Sequence, residues 1–211
     1  MSVERRVLRV SAHAAAARRE AGSLSAGERE RAAAFRREAD RDRYLVAHTA
    51  LRGELAARLG GSPRAVPLTR APCPGCGGPH GRPSVAGDLL HFSLSHAGDL
   101  VLLAFADAPV GADVEALPAP GVVADVGASL HPRERAELAA LPERERPAAF
   151  TRCWTRKEAF LKGLGTGLAT DPAADYVSTL ERPAPLPGWH LADVPVPPGY
   201  AAATALARPA G

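Results

Sequence analysis

Between His91 and Glu115 the chain reads HFSLSH, then LVLLAF, then Asp107-Ala108-Pro109, then VGADVE. Alternation at period two, a short apolar run and a turn signal predict adjoining strands, because alternate strand side chains face opposite sides of a sheet. This segment is therefore the expected centre of a sheet. Before it, Val7 to Val10 reads as a short strand, and Ser25 with Glu28 has the capping-box spacing of a helix running to about Arg37. Tyr44, His48, Leu51, Leu55 and Leu59 recur at helical intervals and predict a second helix, stopped by Gly60-Gly61. Proline and glycine dominate Pro63 to Pro83, which reads as irregular connection. After the sheet, helices are expected over Val122 to Leu130, Arg133 to Leu141 and about Ala148 to Lys162, the last closed by Gly163. Trp189 to Val194 and Tyr200 to Ala207 read as strands. No internal repeat is legible by residue identity.

A chain of 211 residues can form one large domain or two of roughly 100 residues each. No apolar run approaches the length of a membrane span, and MSVERRVLRV has no signal-peptide core, so a cytoplasmic location away from membranes is expected. The formal charge of +3 and pI near 9.0 favour anionic partners. The excess is small and dispersed, which suits a phosphorylated ligand or an acidic protein and gives no basis for nucleic-acid binding. Cys73, Cys76, His80 and His91 are zinc-ligand types. Proline and glycine crowd CPGCGGPHGRP, however, and no second CxxC follows, so a tight loop without metal is expected.

Lysine is almost absent: of 26 Lys and Arg residues only Lys157 and Lys162 are lysines, flanking Glu158 in WTRKEAFLK. In a background that otherwise uses arginine, that clustering suggests a site needing a compact ammonium. On the predicted helix Trp154, Glu158 and Lys162 share a stripe, with Lys157 near its edge. The stripe is either a solvated face with a Glu158–Lys162 pair or a carboxylate with cations for phosphate. Asp113 and Glu115 point to one face of their strand and Ala112 and Val114 to the other. Exposed, the two carboxylates need no partner; partly buried, they suit a divalent cation such as magnesium. Ser93 and Ser95 share a face ending at His96. Carboxylates for metal, with cations and hydroxyls for phosphate, describe a magnesium diphosphate site, and phosphoryl transfer depends chiefly on positioning and charge neutralisation. Neither a P-loop nor a GxSxG elbow is present.

GADVE (Gly111 to Glu115), followed by WTRKEAFLK and preceded by FSLSHAGD (Phe92 to Asp99) and GRP (Gly81 to Pro83), resembles the 4'-phosphopantetheinyl transferases of the longer, monomeric Sfp type. CPGCGGPHGRP resembles a loop of their actinobacterial members. The resemblance implies an α+β fold of two similar halves related by a pseudo-twofold axis, divided near Asp107 into 1–107 and 108–211, with coenzyme A in the cleft between. It also implies transfer of the phosphopantetheine arm of coenzyme A to a serine of an apo acyl or peptidyl carrier protein, releasing adenosine 3',5'-bisphosphate.

Carried over by position, Asp113, Glu115 and Glu158 would hold magnesium, with manganese a possible substitute, and Lys157 and Lys162 would bind phosphate. Ser95 and His96 would face the phosphates of coenzyme A. Arg82 and Pro83 stand where the family commonly has Lys-Pro near the adenosine. Arg52 aligns with an arginine that contacts the 3'-phosphate. The basic residue expected upstream is displaced, Glu38 occupying its place beside Arg36 and Arg37; either arginine can substitute, and Arg37 is carried forward. The resemblance implies Glu158 as acceptor of the serine proton, with Asp113 and Lys162 completing the catalytic set. An acidic carrier would dock on Val122 to Arg135, through the stripe Val122, Val123, Val126 and Leu130 and the charges of Arg133 and Arg135. Two competing readings are a magnesium-dependent nuclease or phosphodiesterase, which should show a basic, aromatic stripe for its strand, and a non-catalytic coenzyme A binding module, which needs no carboxylate set.

Overall fold

The computed structural model describes residues 2–79, 81–87, 90–166 and 170–209, apart from the side chains of Pro120, Ala124 and Asp125. The chain opens with strand β1 (Glu4–Arg9), helix α1 (Val10–Arg19), helix α2 (Ala26–Ala33) and helix α3 (Glu38–Leu59). Helix α1 is not among the elements that periodicity predicts. Its alanine run favours helix by propensity but carries no stripe of large apolar residues, and Val10, read as strand, instead begins it. The capping box of α2 is present: Ser25 Oγ accepts from Glu28 N–H at 3.2 Å, and the Glu28 carboxylate accepts from Ser25 N–H at 2.7 Å. The helix stops at Ala33, short of Arg37, before α3 starts afresh. Helix α3 ends at Gly60, whose φ of +72° is the left-handed cap a glycine supplies without strain.

The stretch from Pro63 to Pro83 is more ordered than its composition predicts. Strands β2 (Leu68–Arg70) and β3 (Pro83–Val85) pair antiparallel in register Arg70↔Pro83. Strands β4 (His91–Ala97) and β5 (Leu100–Ala106) then form a hairpin, and β1 joins β5 on its other side, giving the order β1-β5-β4. After the turn at Asp107 come β6 (Val110–Ala116), α4 (Pro120–Gly127), α5 (Pro132–Ala140), α6 (Arg146–Leu164), β7 (Trp189–Asp193) and β8 (Tyr200–Ala207), with sheet order β6-β8-β7. Each sheet thus runs first strand, last strand, penultimate strand, and each connection between its first strand and its final hairpin is largely helical.

Every residue of β5 is buried because both faces are covered. Val101, Leu103 and Phe105 pack with Leu45, Leu51 and Leu55 of α3, whereas Leu100, Leu102 and Ala104 pack with Val110, Ala112 and Val114 of β6 and Leu206 of β8. This second core joins the sheets. Its alternation turns Gly111, Asp113 and Glu115 to the opposite face of β6, under α6. Gly111 makes that approach possible: a Cβ there would lie 1.8 Å from Ala159 O and 2.5 Å from Gly163 N. Gly163 does not close α6, which runs on to Leu164 and is capped by Gly165 at φ +82°. Gly163 admits Trp189, whose ring carbon would lie 2.6 Å from an added Cβ. Among the described residues no helix is long and apolar enough to cross a membrane.

Candidate functional site

Strand β4 is an edge of the first sheet and β6 an edge of the second, and they meet through serine side chains. Ser93 Oγ accepts from Ala112 N–H at 2.9 Å, and Ser95 Oγ donates to Asp113 Oδ1 at 2.7 Å. Lys162, near the end of α6, donates to the same Oδ1 at 2.6 Å and to Ser95 Oγ at 3.1 Å. Lys162 therefore pairs with Asp113 across the β6–α6 approach rather than with Glu158 along its own helix. Asp113 is 1% exposed, and its Oδ2, fully buried, has no hydrogen-bond partner. A buried carboxylate oxygen without a partner is costly, so this atom is poised for a cation.

Two further carboxylates border it. Burial, then the Asp113 charge and the Glu158 charge, push Glu115 up to about 7 against the pull of Lys162. Burial and the charge of Asp113 also raise Glu158, again against Lys162. The three acids and the ammonium thus form one electrostatic unit. Among the described residues no three His, Cys, Asp or Glu side chains converge as a finished metal cage. The donor set instead suits a hard cation that takes few protein oxygens and completes its shell with water and phosphate, as magnesium does.

Beside this unit lies a cavity of ≈ 430 Å³ lined by His48 of α3, Arg70, Arg82 and Pro83 of the β2–β3 hairpin, Phe92 and Ser93 of β4, and Lys162 and Thr166 at the end of α6. The Thr166 hydroxyl oxygen is buried without a hydrogen-bond partner. Arg82 donates to Gly163 O at 3.2 Å and lies 3.1 Å from His91 Nδ1, placing its charge at the carbonyl end of α6. His96 is exposed at its tip. Partial burial, and then the charges of Arg43 and Lys162, lower its pKa.

Three residues expected here, Lys157, Arg52 and Arg37, and the stripe expected for docking sit differently. Lys157 is 3% exposed, pairs with Glu134 of α5 at 2.8 Å and donates to Asp175 O at 2.5 Å. Helix geometry explains it: at 3.6 residues per turn, Lys157 and Lys162 are about 140° apart, so one helix cannot aim both at one ligand. Arg52 is 4% exposed and donates to Glu28 at 2.7 Å and to Pro63 O at 2.9 Å, an anchor between α3, α2 and the following turn. Burial opposes ionisation of Glu28, but hydrogen bonds from His48, Ser25 and Arg52 prevail and hold its carboxyl well below the usual range. Arg37 is exposed at the N-cap of α3 and does not line the cavity. On α4, Val123 and neighbouring Leu130 turn into the core and only Val122, at 45%, is openly exposed, so the apolar stripe is mostly internal. A separate cavity of ≈ 300 Å³ lies there, lined by Val123, Leu138, Arg135 and Arg146. Of the zinc-ligand types, His80 lies outside the described residues.

Sequence reasoning missed Thr166, His48 and Arg70 as cavity residues. Their positions depend on how the sheets and α3 pack, and no motif marks them.

The geometry sets Arg70, Arg82 and Lys162 around one cavity, beside a set of three carboxylates. The sequence profile of the 4'-phosphopantetheinyl transferase superfamily matches residues 109–205. HetI of Nostoc sp., a 4'-phosphopantetheinyl transferase, is 32% identical over 197 residues, covering 89% of this chain and 80% of that protein. The 4'-phosphopantetheinyl transferase ffp of Bacillus subtilis is 27% identical over 88% of this chain and 83% of its own length. A Synechocystis relative, slr0495, is 30% identical over 69% of this chain, a stretch spanning 58% of that protein. The chain belongs to the 4'-phosphopantetheinyl transferase family.

Proposed function

We propose that this protein transfers 4'-phosphopantetheine from coenzyme A to a serine of an apo acyl or peptidyl carrier protein, releasing adenosine 3',5'-bisphosphate, as a monomeric cytoplasmic enzyme of the longer, Sfp type. The observation that carries the reading is the Lys162–Asp113–Ser95 cluster, with the orphaned Asp113 Oδ2, at the edge of a cavity whose other charged walls are Arg70 and Arg82. The matching order of strands in the two sheets supports two like halves, 1–107 and 108–211, related by a pseudo-twofold axis, and the cavity draws residues from both.

Asp113 would hold a magnesium or manganese ion together with Glu115 and Glu158. That ion supplies charge neutralisation at the diphosphate and a template for its oxygens. Arg82, with Pro83 beside it, and Arg70 would bind the anionic nucleotide end. Ser95 fixes the Asp113 carboxylate and the Lys162 ammonium, and His96, its pKa held down, would face the phosphates as a neutral ring. The carrier serine oxygen attacks the β-phosphorus of coenzyme A, the bond to the bridging oxygen breaks, and Lys162 offsets the charge left on adenosine 3',5'-bisphosphate. Glu158 accepts the serine proton.

The test is intact mass spectrometry of a purified apo carrier incubated with this protein, coenzyme A and magnesium, with a chelator control. A metal-dependent gain of one phosphopantetheine is expected. No gain across acyl and peptidyl carriers, with coenzyme A still bound, would replace transfer with simple binding. Removing the Lys162 ammonium should cost about 2.7–4 kcal/mol of transition-state stabilisation, the usual worth of one preorganised electrostatic group. Near-normal turnover of Lys162→Ala would refute the assignment.

A further inference from the structure

In the loop between β2 and β3 only Arg82, at its base, has a role in the proposed transfer, yet the outer part is closed tightly as well. Ala71 N–H donates to Arg82 O at 2.9 Å and Gly81 N–H to Ala71 O at 3.0 Å. Further out, Cys73 N–H donates to Gly78 O at 2.7 Å and Gly77 N–H to Cys73 O at 2.8 Å. Residues 74–76 form a turn with Cys73 and Cys76 at its two ends. Turns of this kind bring their end Cα atoms within about 7 Å, close to the span a disulfide bridges. The side chains also meet. The backbone N–H groups of Cys76 and Gly75, and then the Cys76 side chain, hold the Cys73 thiol below its ordinary value against the effect of burial, and the Cys73 sulfur would lie 3.9 Å from a Cβ on Gly75. Cys76 is exposed and Cys73 half-buried, whereas Cys153 is buried, with burial and the charge of Glu134 pushing its thiol up. The chain therefore holds one reactive vicinal pair and one inert thiol.

The pair is wired to the cavity. Arg82 closes the base of the loop, lines the cavity and holds Gly163 O. Gly165, the cap of α6, lies in the crook between Arg82 and Pro74: a Cβ there would stand 3.6 Å from Arg82 Cδ and 3.7 Å from Pro74 Cγ. Pro74 of the turn and Arg82 of the cavity wall thus flank the same cap of the helix that carries Lys162.

We propose that Cys73 and Cys76 form a reversible dithiol–disulfide couple that adjusts the cavity through Arg82, with low-molecular-weight disulfides as the oxidant class. The Cys73 thiolate attacks one sulfur of the disulfide and expels one thiol. The Cys76 thiolate then attacks the Cys73 sulfur of the mixed disulfide and expels the second, with the two protons passing to the released thiolates. The external disulfide is reduced to two thiols, and the two cysteines are oxidised to one bond. The effect on substrate rests on the reading of the cavity as the site of the nucleotide end of coenzyme A.

The full-length protein is equilibrated with graded ratios of 2-hydroxyethyl disulfide and 2-mercaptoethanol, alkylated and mapped by mass spectrometry. The expected product is an internal Cys73–Cys76 bond reversed by dithiothreitol, with Cys153 alkylated only after unfolding. Cys76→Ser should stop at the mixed disulfide on Cys73. Oxidation should also change hydrogen exchange in peptides spanning 70–85 and 160–166 without any substrate present, and shift KM for coenzyme A at least about fivefold, the low end of usual site-to-site coupling. Cys76→Ser should show neither change. Three results would overturn the proposal: no internal bond at any ratio, a bond with unchanged exchange at Arg82, or a zinc ion retained stoichiometrically by both thiolates. Redox-dependent exchange in a protein that binds no coenzyme A in either state would uphold the couple and refute the transferase reading.

Discussion

Lys157 separates what the motif implies from what the structure holds. Its ammonium and the Glu134 carboxylate, 3% and 0% exposed, form a buried pair at 2.8 Å. Glu134 also accepts from His131 N–H at 3.0 Å and Val177 N–H at 2.8 Å, tying α5, α6 and the segment after α6 together. Truncation by Lys157→Ala leaves Glu134 buried with its countercharge gone, a change that typically costs about 3–5 kcal/mol. For a chain of this size each kcal/mol moves Tm by about 2–4 °C, so the variant should melt on the order of 10 °C lower. Glu134→Gln should be similarly destabilising. Glu134→Gln/Lys157→Met should lose much less than the sum, because no uncompensated charge remains. Urea and thermal unfolding read the stability, and turnover at low temperature reads the folded fraction. There Lys157→Ala should keep KM for coenzyme A and lose less than about tenfold in kcat, since the ammonium positions the helix from its far side. A variant that melts like the wild type but loses transfer would put the ammonium in the site and refute this account.

Gly111→Ala should be disproportionately damaging, because its Cβ would sit 1.8 Å from Ala159 O and force α6 off β6. Overpacking of about 1–3 kcal/mol and a loss of turnover near 10²-fold are expected, while Gly53→Ala, with open space at its Cβ on α3, should be neutral or stabilising. In chelator, the burial and the neighbouring like charges that push Glu115 up to about 7 make the folded state bind a proton that the unfolded state has released near 4.5. Stability from this group is accordingly lost as pH rises from about 4.5 to 7, so Glu115→Gln should be more stable than wild type at pH 8 and equal to it below pH 4.5; a gap independent of pH in thermal melts would count against that assignment. Arg133 stacks over the Tyr176 ring at 3.8 Å, and Arg135 borders the ≈ 300 Å³ cavity. Reversing both charges should raise KM for an acidic apo carrier without changing KM for coenzyme A, and unchanged carrier kinetics would reject the α4–α5 docking face.

How far the sequence reveals this molecule depends on the range over which each interaction acts. The β4–β5–β6 segment, the Ser25–Glu28 cap and the Gly60 stop are local, and each is found where its residues predict. Helix α1 and the β2–β3 hairpin escape detection because alanine propensity and a three-residue pairing leave no periodic trace. The placement of Asp113, Glu115, Glu158 and Lys162 follows from periods of two and four, and the structure brings Lys162 onto Asp113 while burial and mutual repulsion link the other two. The burial of Lys157 and Arg52 is not legible, because motif spacing records neighbours along the chain, whereas their partners Glu134 and Glu28 are supplied by other helices.

The strand β6 shows why site and scaffold cannot be separated here. Its even residues Val110, Ala112 and Val114 must be apolar to join the two sheets, which fixes the rotation of the strand about its axis. That rotation alone delivers Gly111, Asp113 and Glu115 to α6, and only a glycine at the first of the three lets the helix come close enough for Lys162 to reach the second. A carboxylate with one oxygen satisfied by that lysine and the other left bare is the result. The bare oxygen of Asp113 is thus a consequence of how the two sheets pack, and if it holds the proposed ion, substitutions in the inter-sheet core that rotate β6 should weaken that binding even where they touch no ligand.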